Sequence, residues 1–394
     1  MSAKERGGRW WKLLVCLGLA ALTALMPGCW GARELKELAL VLGIGIDKNE
    51  NDPGMVYLTA QIAKPSQMKK DPSGGGSGGE AKAYWNLKSH GWTVFDAIRE
   101  ATQQTSNKLY VAHNEAIVFG MAAAEDGVEK YLDFFLRGQE TRPTTDIIIS
   151  TTTAADVLDV MPELDKIPGV NLAKLTDSQG FTSHAMRVTL QQFASMLLSP
   201  TTAAVAPVVS MDEESGKKSL KVHGMAVFKK DKMIGILNSA ETRGLLWAKN
   251  KVQSGVMDVA YQDGIASIEI KGATCQTDVE LVGDRVVARI KVRAEGSMVA
   301  QTGSINLASV YYIAVLEGLQ AAAIEAEITN AIGWASQMNA DIFGFGDLLH
   351  KEYKDQWQEI SANWDRIFPA VVVELDVQCK IRAAGNITRP IGAQ

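Results

Sequence analysis

The histidines, carboxylates and thiols of this chain are numerous, but their spacing fits none of the common catalytic patterns. His90, His113, His184, His223 and His350 occur singly, with no His-x-His or His-Glu-x-x-His pair to seat a metal. His113-Asn-Glu115 reads as part of a strand, where positions i and i+2 share a face. A metal or acid/base pair is conceivable there, and a structural histidine is the reading adopted. The Gly-x-Ser-x-Gly match at Gly75-Gly-Ser-Gly-Gly79 falls in a glycine-rich run and not in a strand-to-helix elbow, so no serine nucleophile is read there. Glu213-Glu214, and Asp258 with Asp263, have the flanks of solvated turns. Cys275 and Cys379 show no partner pattern, and Lys380 and Arg382 beside Cys379 fall on the opposite face of its strand, so neither thiol is read as reactive. Asp341-Ile-Phe-Gly-Phe-Gly-Asp347 is a richer cluster, with two glycines and two aromatics between acids. It suits a binding turn, or the end of a long helix with Gly344 or Gly346 at positive φ and the phenylalanines packed. The second reading is preferred. No catalytic, cofactor-binding or metal site is therefore predicted, and no cofactor.

One cysteine does carry a chemistry. Lys4, Arg6, Arg9 and Lys12 precede an apolar run from Leu13 to Met26, followed by Pro27-Gly28-Cys29. A basic segment, an apolar run and a small residue make up a secretory signal peptide. The run is short of the roughly 20 residues that span a bilayer. Leu25-Met-Pro-Gly-Cys29 resembles a bacterial lipobox, in which the thiol after the cut becomes the lipid acceptor. Gly28 supplies the small residue before the cut, while Met26 and Pro27 depart from the preferred pattern. Cys29 is thus the expected lipidation site and residues 1–28 the signal peptide. The alternative is an uncleaved amino-terminal anchor; either way the remainder is exported and held at a membrane.

Composition bounds that remainder. The leader contributes +3 to the formal −5 of the 394-residue chain, leaving −8 for the rest. An acidic exported body argues against nucleic acid and against a polybasic grip on anionic lipid. A diacylated cysteine holds a membrane better than a single chain does. With Cys16 in the leader and Cys29 acylated, only Cys275 and Cys379 remain, too few for a disulfide scaffold.

The elements follow from hydrophobic period. Residues 38–47 and 55–63 alternate as a hairpin around the turn-rich Asp47-Lys-Asn-Glu-Asn-Asp-Pro-Gly54. Gly43 and Gly45, without a following Gly-Lys-Ser/Thr, are assigned to the outer face of the first strand rather than to a phosphate loop. Asp71-Pro-Ser-Gly-Gly-Gly-Ser-Gly-Gly79 is a flexible excursion before a strand at 83–89. Thr93 caps a helix, 109–119 reads as a strand, and Val128, Leu132, Phe135 and Leu136 mark a helix face. A buried strand at 146–149, a short helix at 154–160 and a helix stopped by Pro200 follow. Past the polar stretch Ser210–Ser219 come a second hairpin, a helix from Ser239 and two long strands joined at Val282-Gly-Asp-Arg285. A long helix near 311–340 carries Gly318 and Gly333 as possible bends. Trp357, Ile360 and Trp364 share one face of another helix, and a strand from Val371 to Ile381 closes the chain. A break near Gly272 is needed to bring Cys275 into the inward phase of Val279. Cys275 and Cys379 are then both inward, as unbridged thiols or, alternatively, as a disulfide.

The fold class is α+β and multi-domain, with mixed or antiparallel sheets and packed helices. The expected divisions are the signal peptide 1–28, an amino-terminal α+β region 29–210, divisible into about 29–150 and 151–210, and a carboxy-terminal α+β domain 219–394.

Several blocks, in order, resemble one known family. They are Cys29-Trp-Gly-Ala-Arg-Glu-Leu-Lys-Glu-Leu-Ala-Leu-Val-Leu-Gly-Ile-Gly-Ile-Asp-Lys48, then Phe95-Asp-Ala-Ile-Arg-Glu100, Asn107-Lys-Leu-Tyr-Val-Ala-His-Asn114 and Tyr131-Leu-Asp-Phe-Phe-Leu-Arg137. Gly224-Met-Ala-Val-Phe-Lys-Lys-Asp-Lys-Met-Ile-Gly235, Glu241-Thr-Arg-Gly-Leu-Leu-Trp-Ala-Lys-Asn250 and Asp341-Ile-Phe-Gly-Phe-Gly346 complete the series. Together they resemble the Ger(x)C proteins, the C subunits of spore germinant receptors. The glycine-rich insert at 71–79, Gly31 after Cys-Trp, and the imperfect lipobox depart from the family pattern. The resemblance implies a lipid-anchored, three-domain mixed α/β protein on the outer face of the spore inner membrane. It also implies two membrane partners, the receptor A and B subunits, a response to small nutrients, and no enzymatic role. Whether this subunit binds the nutrient is left open. The competing readings are a solute-binding lipoprotein of a transport system and an exported cell-wall hydrolase. The first would need two lobes around a ligand cleft, the second a carboxylate pair or metal cluster.

Overall fold

Alternating apolar residues build two sheets in this chain, and the helices cover them. The structure, a computed structural model, describes residues 11, 14–18, 37–49, 51–68, 82–138, 140–214, 216–283 and 285–383. Residues 14–18 of the leader are helical. Cys29, the glycine-rich excursion 71–79 and the first eight residues of the block that resembles the family's opening, 29–36, lie outside the described residues.

The larger sheet is mixed. Its strands are β1 (Leu38–Asp47), β2 (Val56–Ala63), β3 (Tyr84–Gly91), β4 (Lys108–Tyr110), β5 (Ala116–Phe119), β6 (Asp146–Ser150), β7 (Val205–Glu214), β8 (Lys217–Lys229) and β9 (Lys232–Leu237). They lie in the order β3-β2-β1-β5-β6-β7-β8-β9, with β4 against β1. The inner neighbours β1, β5, β6 and β7 run parallel, and antiparallel hairpins extend the sheet on both sides. The inner strands are apolar on both faces, as Ile147-Ile148-Ile149 shows with all three side chains buried, which suits a parallel core covered by helices. The polar stretch Ser210–Ser219 forms the tip of the β7–β8 hairpin.

The covering helices are α1 (Pro65–Met68), α2 (Val94–Thr102), α3 (Met121–Asp126), α4 (Glu129–Arg137), α5 (Ala154–Val157), α6 (Pro168–Asp177) and α7 (Leu190–Leu198). Thr93 caps α2 as expected, its side chain accepting from the Asp96 N–H. Gly43 and Gly45 overturn the outer-face assignment. A Cβ on Gly45 would meet Ala154 and Leu158 at 3.0 and 3.1 Å, and one on Gly43 would meet Leu158 and the Gly169 backbone. They are the points at which α5 and α6 press against β1. The predicted strand 109–119 is also broken. A 3-10 turn at Val111–His113 separates β4 from β5, so His113 and Glu115 do not share a strand face.

The smaller sheet has the order β10-β11-β12-β13. Its strands are β10 (Gly255–Tyr261), β11 (Gly264–Val282), β12 (Arg285–Gln301) and β13 (Val372–Ala383). The expected irregularity near Gly272 is present as a register shift between Ile270 and Gly272. The outward face carries cross-strand ion pairs: Arg289 with Glu280 and Glu374, Arg293 with Asp376, Arg382 with Glu295. On the inward face β12 contributes Ala288, Ile290, Val292 and Ala294 to a core that also holds Ile147–Ile149 of the larger sheet. The main core therefore serves both sheets, and a separate cluster around Val259, Ala266, Ile268 and Met298 covers the other end of the smaller sheet.

Helix α8 (Ser239–Ala248) and the long α9 (Val310–Met338) pack together above this core. Helix α9 runs unbroken through Gly318 and Gly333. Arg243 on α8 forms a bidentate pair with Glu327 on α9, at 3.0 and 2.9 Å from Nε, and the Trp247 indole donates to the same carboxylate at 3.0 Å. Both charged side chains are largely covered. The chain then forms α10 (Phe345–Glu352), α11 (Trp357–Ala362) and α12 (Trp364–Ile367). Asn363 separates the last two, so Trp357 and Trp364 do not belong to one helix as their spacing predicts.

Cys275 and Cys379 are free, half-buried and packed against the core. They lie on β11 and β13, on opposite sides of β12: Cys275 faces Val292, and Cys379 faces Ala294. Two strand spacings of about 4.7–4.9 Å put their Cα atoms beyond disulfide reach. Burial pushes the Cys379 thiol up to about 12 and raises Cys275 as well. Titration of the unfolded, unreduced mature protein should therefore find both thiols free. Replacing Arg243 by Met strands a covered carboxylate and should cost about 3–5 kcal/mol in urea denaturation. Adding Glu327→Leu should recover part of that loss.

Candidate functional site

The sequence cluster 341–347 lies where the two sheets join. Helix α9 ends on Asn339, which adopts the left-handed conformation at φ 50° and serves as the cap expected of a glycine. Asp341 is 2% exposed. Its carboxylate accepts the backbone N–H groups of Gly344, Phe345 and Gly346 at 2.8, 3.1 and 2.9 Å. Those N–H groups open α10, and an isolated helix start leaves them without partners. Gly344 has φ 79°, a conformation costly for other residues. Phe343 stacks on Phe345 with centroids 5.1 Å apart, and Phe345 packs near Phe368. The expectation of a helix-ending turn with packed phenylalanines holds, with Gly344 as the positive-φ residue.

Two cross-links then fix this turn to the rest of the chain. Asp347 accepts Ser199 Oγ at 2.9 Å and Thr202 Oγ1 at 2.7 Å, tying it to the segment between α7 and β7. The main chain at Asp341 also accepts the Ala203 N–H at 2.9 Å. From the other side, Lys249 at the end of α8 donates to the carbonyls of Ile342 and Phe343, both at 3.3 Å. Burial lowers the Lys249 pKa against the pull of Asp341 and Asp347. Burial also pushes Asp341 up to about 6, outweighing its three N–H bonds and the nearby ammonium.

Two cavities flank the junction. One, of about 430 Å³, lies between α4, the end of α7, the β8–β9 turn and residues 339–341 with 364–368. The other, of about 730 Å³, lies between the end of α6, the start of α7 and residues 249–253. Asp341 lines the first and Lys249 the second.

The other sequence candidates are dispersed. His113 Nδ1 lies 3.0 Å from the Arg142 guanidinium, and its ring meets Tyr110 edge-on. His90 stacks on Tyr57, His350 stacks on Trp357, and His223 hydrogen-bonds Ser210. Asp258 accepts Ser267 Oγ from within β10, whereas Asp263 accepts Ser304 across a turn. Glu213 and Glu214 are exposed at a hairpin tip opposite Lys218 and Lys217. Among the described residues no group of three His, Cys, Asp or Glu is arranged to hold a metal ion. No described helix is long and apolar enough to cross a membrane.

Two buried networks escaped the sequence reading. Asp146, fully buried at the start of β6, accepts Thr176 Oγ1 at 2.8 Å and Arg187 Nε at 2.7 Å. Glu327 falls three residues after Ile324, so its place on the apolar stripe of α9 was visible, but not its partner.

The geometry defines a two-sheet α+β protein whose conspicuous polar centre is a structural junction. Comparison with known proteins agrees with that class. The family description "Spore germination protein N-terminal domain" matches residues 31–211, and "Spore germination B3/GerAC like, C-terminal" matches residues 223–385. Spore germination protein KC of Bacillus subtilis (strain 168) is 26% identical over 405 residues, covering 97% of this chain and 98% of that protein. Spore germination protein B3 of the same organism is 23% identical, covering 91% and 95%. The crystal structure of the GerBC protein superimposes with a TM-score of 0.53 at 18% identity, covering 86% of this chain and 97% of that one. The chain belongs to the Ger(x)C family of spore germination proteins, the C subunits of germinant receptors.

Asp341 makes stability depend on pH in a definite direction. Its folded-state pKa of about 6 lies above the ordinary 3.8, so folding favours the protonated form. That contribution is fully present below the unfolded value and is lost as pH rises through the folded one. Urea denaturation at about pH 4 and pH 7 should show wild type losing up to roughly 3 kcal/mol relative to Asp341→Asn over that interval.

Proposed function

We propose that this chain is the lipid-anchored, non-enzymatic C subunit of a nutrient germinant receptor, working with the membrane A and B subunits at the outer face of the spore inner membrane. The observation that carries this reading is the position of the family match. It begins at residue 31, two residues after Cys29, and the paired family domains account for residues 31–211 and 223–385. A chain cut before Cys29 would leave two residues ahead of that match, so the family body lies wholly on the mature side of such a cut. The basic and apolar leader supports export, and the acidic body supports anchoring through lipid rather than through charge.

A non-enzymatic role accords with how the reactive side chains are used. Asp341 and Asp146 are occupied by backbone and side-chain donors within the fold, and four of the five histidines have ring contacts or hydrogen bonds of a structural kind. The gap between the two family matches, at 212–222, supports the expected amino-terminal and carboxy-terminal parts as family units, although the β7–β8 hairpin carries the larger sheet across it. A subunit of this kind contributes surface and rigidity to a complex, and its two covered sheets provide both.

Replacing Cys29 by Ala should leave the protein unprocessed or released from the membrane, without incorporation of labelled palmitate. Unchanged mobility, fractionation and labelling in that variant would refute the lipoprotein assignment. Affinity purification of the wild-type chain from dormant spores should recover A- and B-type membrane subunits by mass spectrometry, and a lack of both would refute the receptor assignment.

A further inference from the structure

Strand β13 ends the smaller sheet, so among the described residues one of its edges has no partner strand. It is the longest of the strands that end the two sheets, with 12 residues against 8, 6 and 7 in β3, β9 and β10. Such an edge offers main-chain donors and acceptors to any chain that can lie along it. Proline and inward-pointing charge are common ways of blunting an edge, and β13 has neither. Its inward residues Val373, Leu375, Val377, Cys379 and Ile381 are apolar. Glu317 Oε1 accepts the Ile381 N–H at 2.9 Å from α9, outside the sheet. The odd-numbered residues therefore direct their main-chain groups to the free edge.

The outward residues are Glu374, Asp376, Gln378, Lys380 and Arg382, all exposed. Both acids precede the glutamine and both bases follow it, at matching intervals. Lay a second copy of the strand antiparallel along the edge, centred on Gln378. Glu374 then faces Arg382 of the second copy, and Asp376 faces its Lys380. On the inward side Leu375 meets Ile381 and Val377 meets Cys379, apolar against apolar. Moving the centre by one residue either way leaves one acid and one base of the four without a complement. Opposite charges directly across two strands stabilise a sheet and like charges destabilise it. Within the chain Arg289 already bonds Glu374 and Glu295 bonds Arg382. A row across the pair would read Arg289, Glu374, Arg382, Glu295, alternating in sign over four strands. Asp376 is shared with Arg293 at 2.9 Å and Lys380 with Glu317 at 3.2 Å.

We propose that two copies of this chain associate through β13, antiparallel about a two-fold axis at Gln378, joining two four-stranded sheets into one. The central hydrogen bonds run between Val377 and Cys379 of opposite copies. Those of Leu375 with Ile381 form when Glu317 releases the Ile381 N–H. The inference rests on this edge and not on the anchoring or receptor reading.

At the axis the two Gln378 residues form a non-hydrogen-bonded pair, with Cα atoms about 4.5 Å apart, within disulfide reach. Mild oxidation of full-length Gln378→Cys in detergent micelles should therefore give a cross-linked dimer on a non-reducing gel. Glu374→Cys, whose two copies lie far apart across the axis, should cross-link no more than wild type. Asp376→Lys sets two like-charge contacts in each dimer and should weaken association by about 10-fold in sedimentation velocity. Lys380→Asp added to the same chain restores opposite charges and should recover the dimer, which separates the contact from any loss of folding. Equal cross-linking of Gln378→Cys and Glu374→Cys would overturn the proposal. So would a wild type that stays monomeric, or a loss in Asp376→Lys that Lys380→Asp does not recover.

Discussion

A carboxylate that cannot reach water sits at the seam between the two sheets, and much of the architecture follows from keeping it satisfied. Asp341 accepts three consecutive backbone N–H groups, which is possible only where a helix begins and the chain turns through a left-handed residue. Helix α10 must therefore start at this point. Its start brings Asp347 against Ser199 and Thr202, and Lys249 against the carbonyls of the same turn. The end of α7, the end of α8 and the end of α9 converge on seven residues. Removing one donor or acceptor from such a network leaves the others buried without partners, so its members act together.

The pair Arg243–Glu327 plays the matching part between helices. Helix α9 is rich in alanine and has little side-chain bulk with which to interlock, and a bidentate guanidinium–carboxylate contact fixes its position against α8. The Trp247 indole uses the remaining capacity of the carboxylate. Apolar residues of similar volume would serve stability about as well. The pair lies where Gly244 of α8 sits directly against the Glu327 main chain of α9, so the two helices meet closely at this point.

The same economy extends to the other polar groups of the junction. Lys249, Asp341, Asp347 and Arg243 are saturated within the protein, and the histidines are mostly stacked or hydrogen-bonded.

Local period determined a large share of the result from the sequence alone. Strict alternation places Val377 and Ile381 inward on β13, and the conflict of phases between Ile270 and Val279 places an irregularity near Gly272, where the register does shift. The block order of Gly224–Gly235 and Glu241–Asn250 identifies the family. The basic, apolar and small-residue order of the leader points to Cys29 without any fold at all. Only tertiary structure decided the rest, because those features depend on residues distant in sequence. Gly43 and Gly45 read as exposed until Ala154, Leu158 and Gly169 are brought against them. The run 109–119 reads as one strand, since short-range pattern carries no sign of the 3-10 turn at Val111–His113. Cys275 and Cys379 share an inward phase, yet the strand between them keeps them apart. Which strand lies between two others is a matter of sheet order, and sheet order is fixed by the packing of the whole chain.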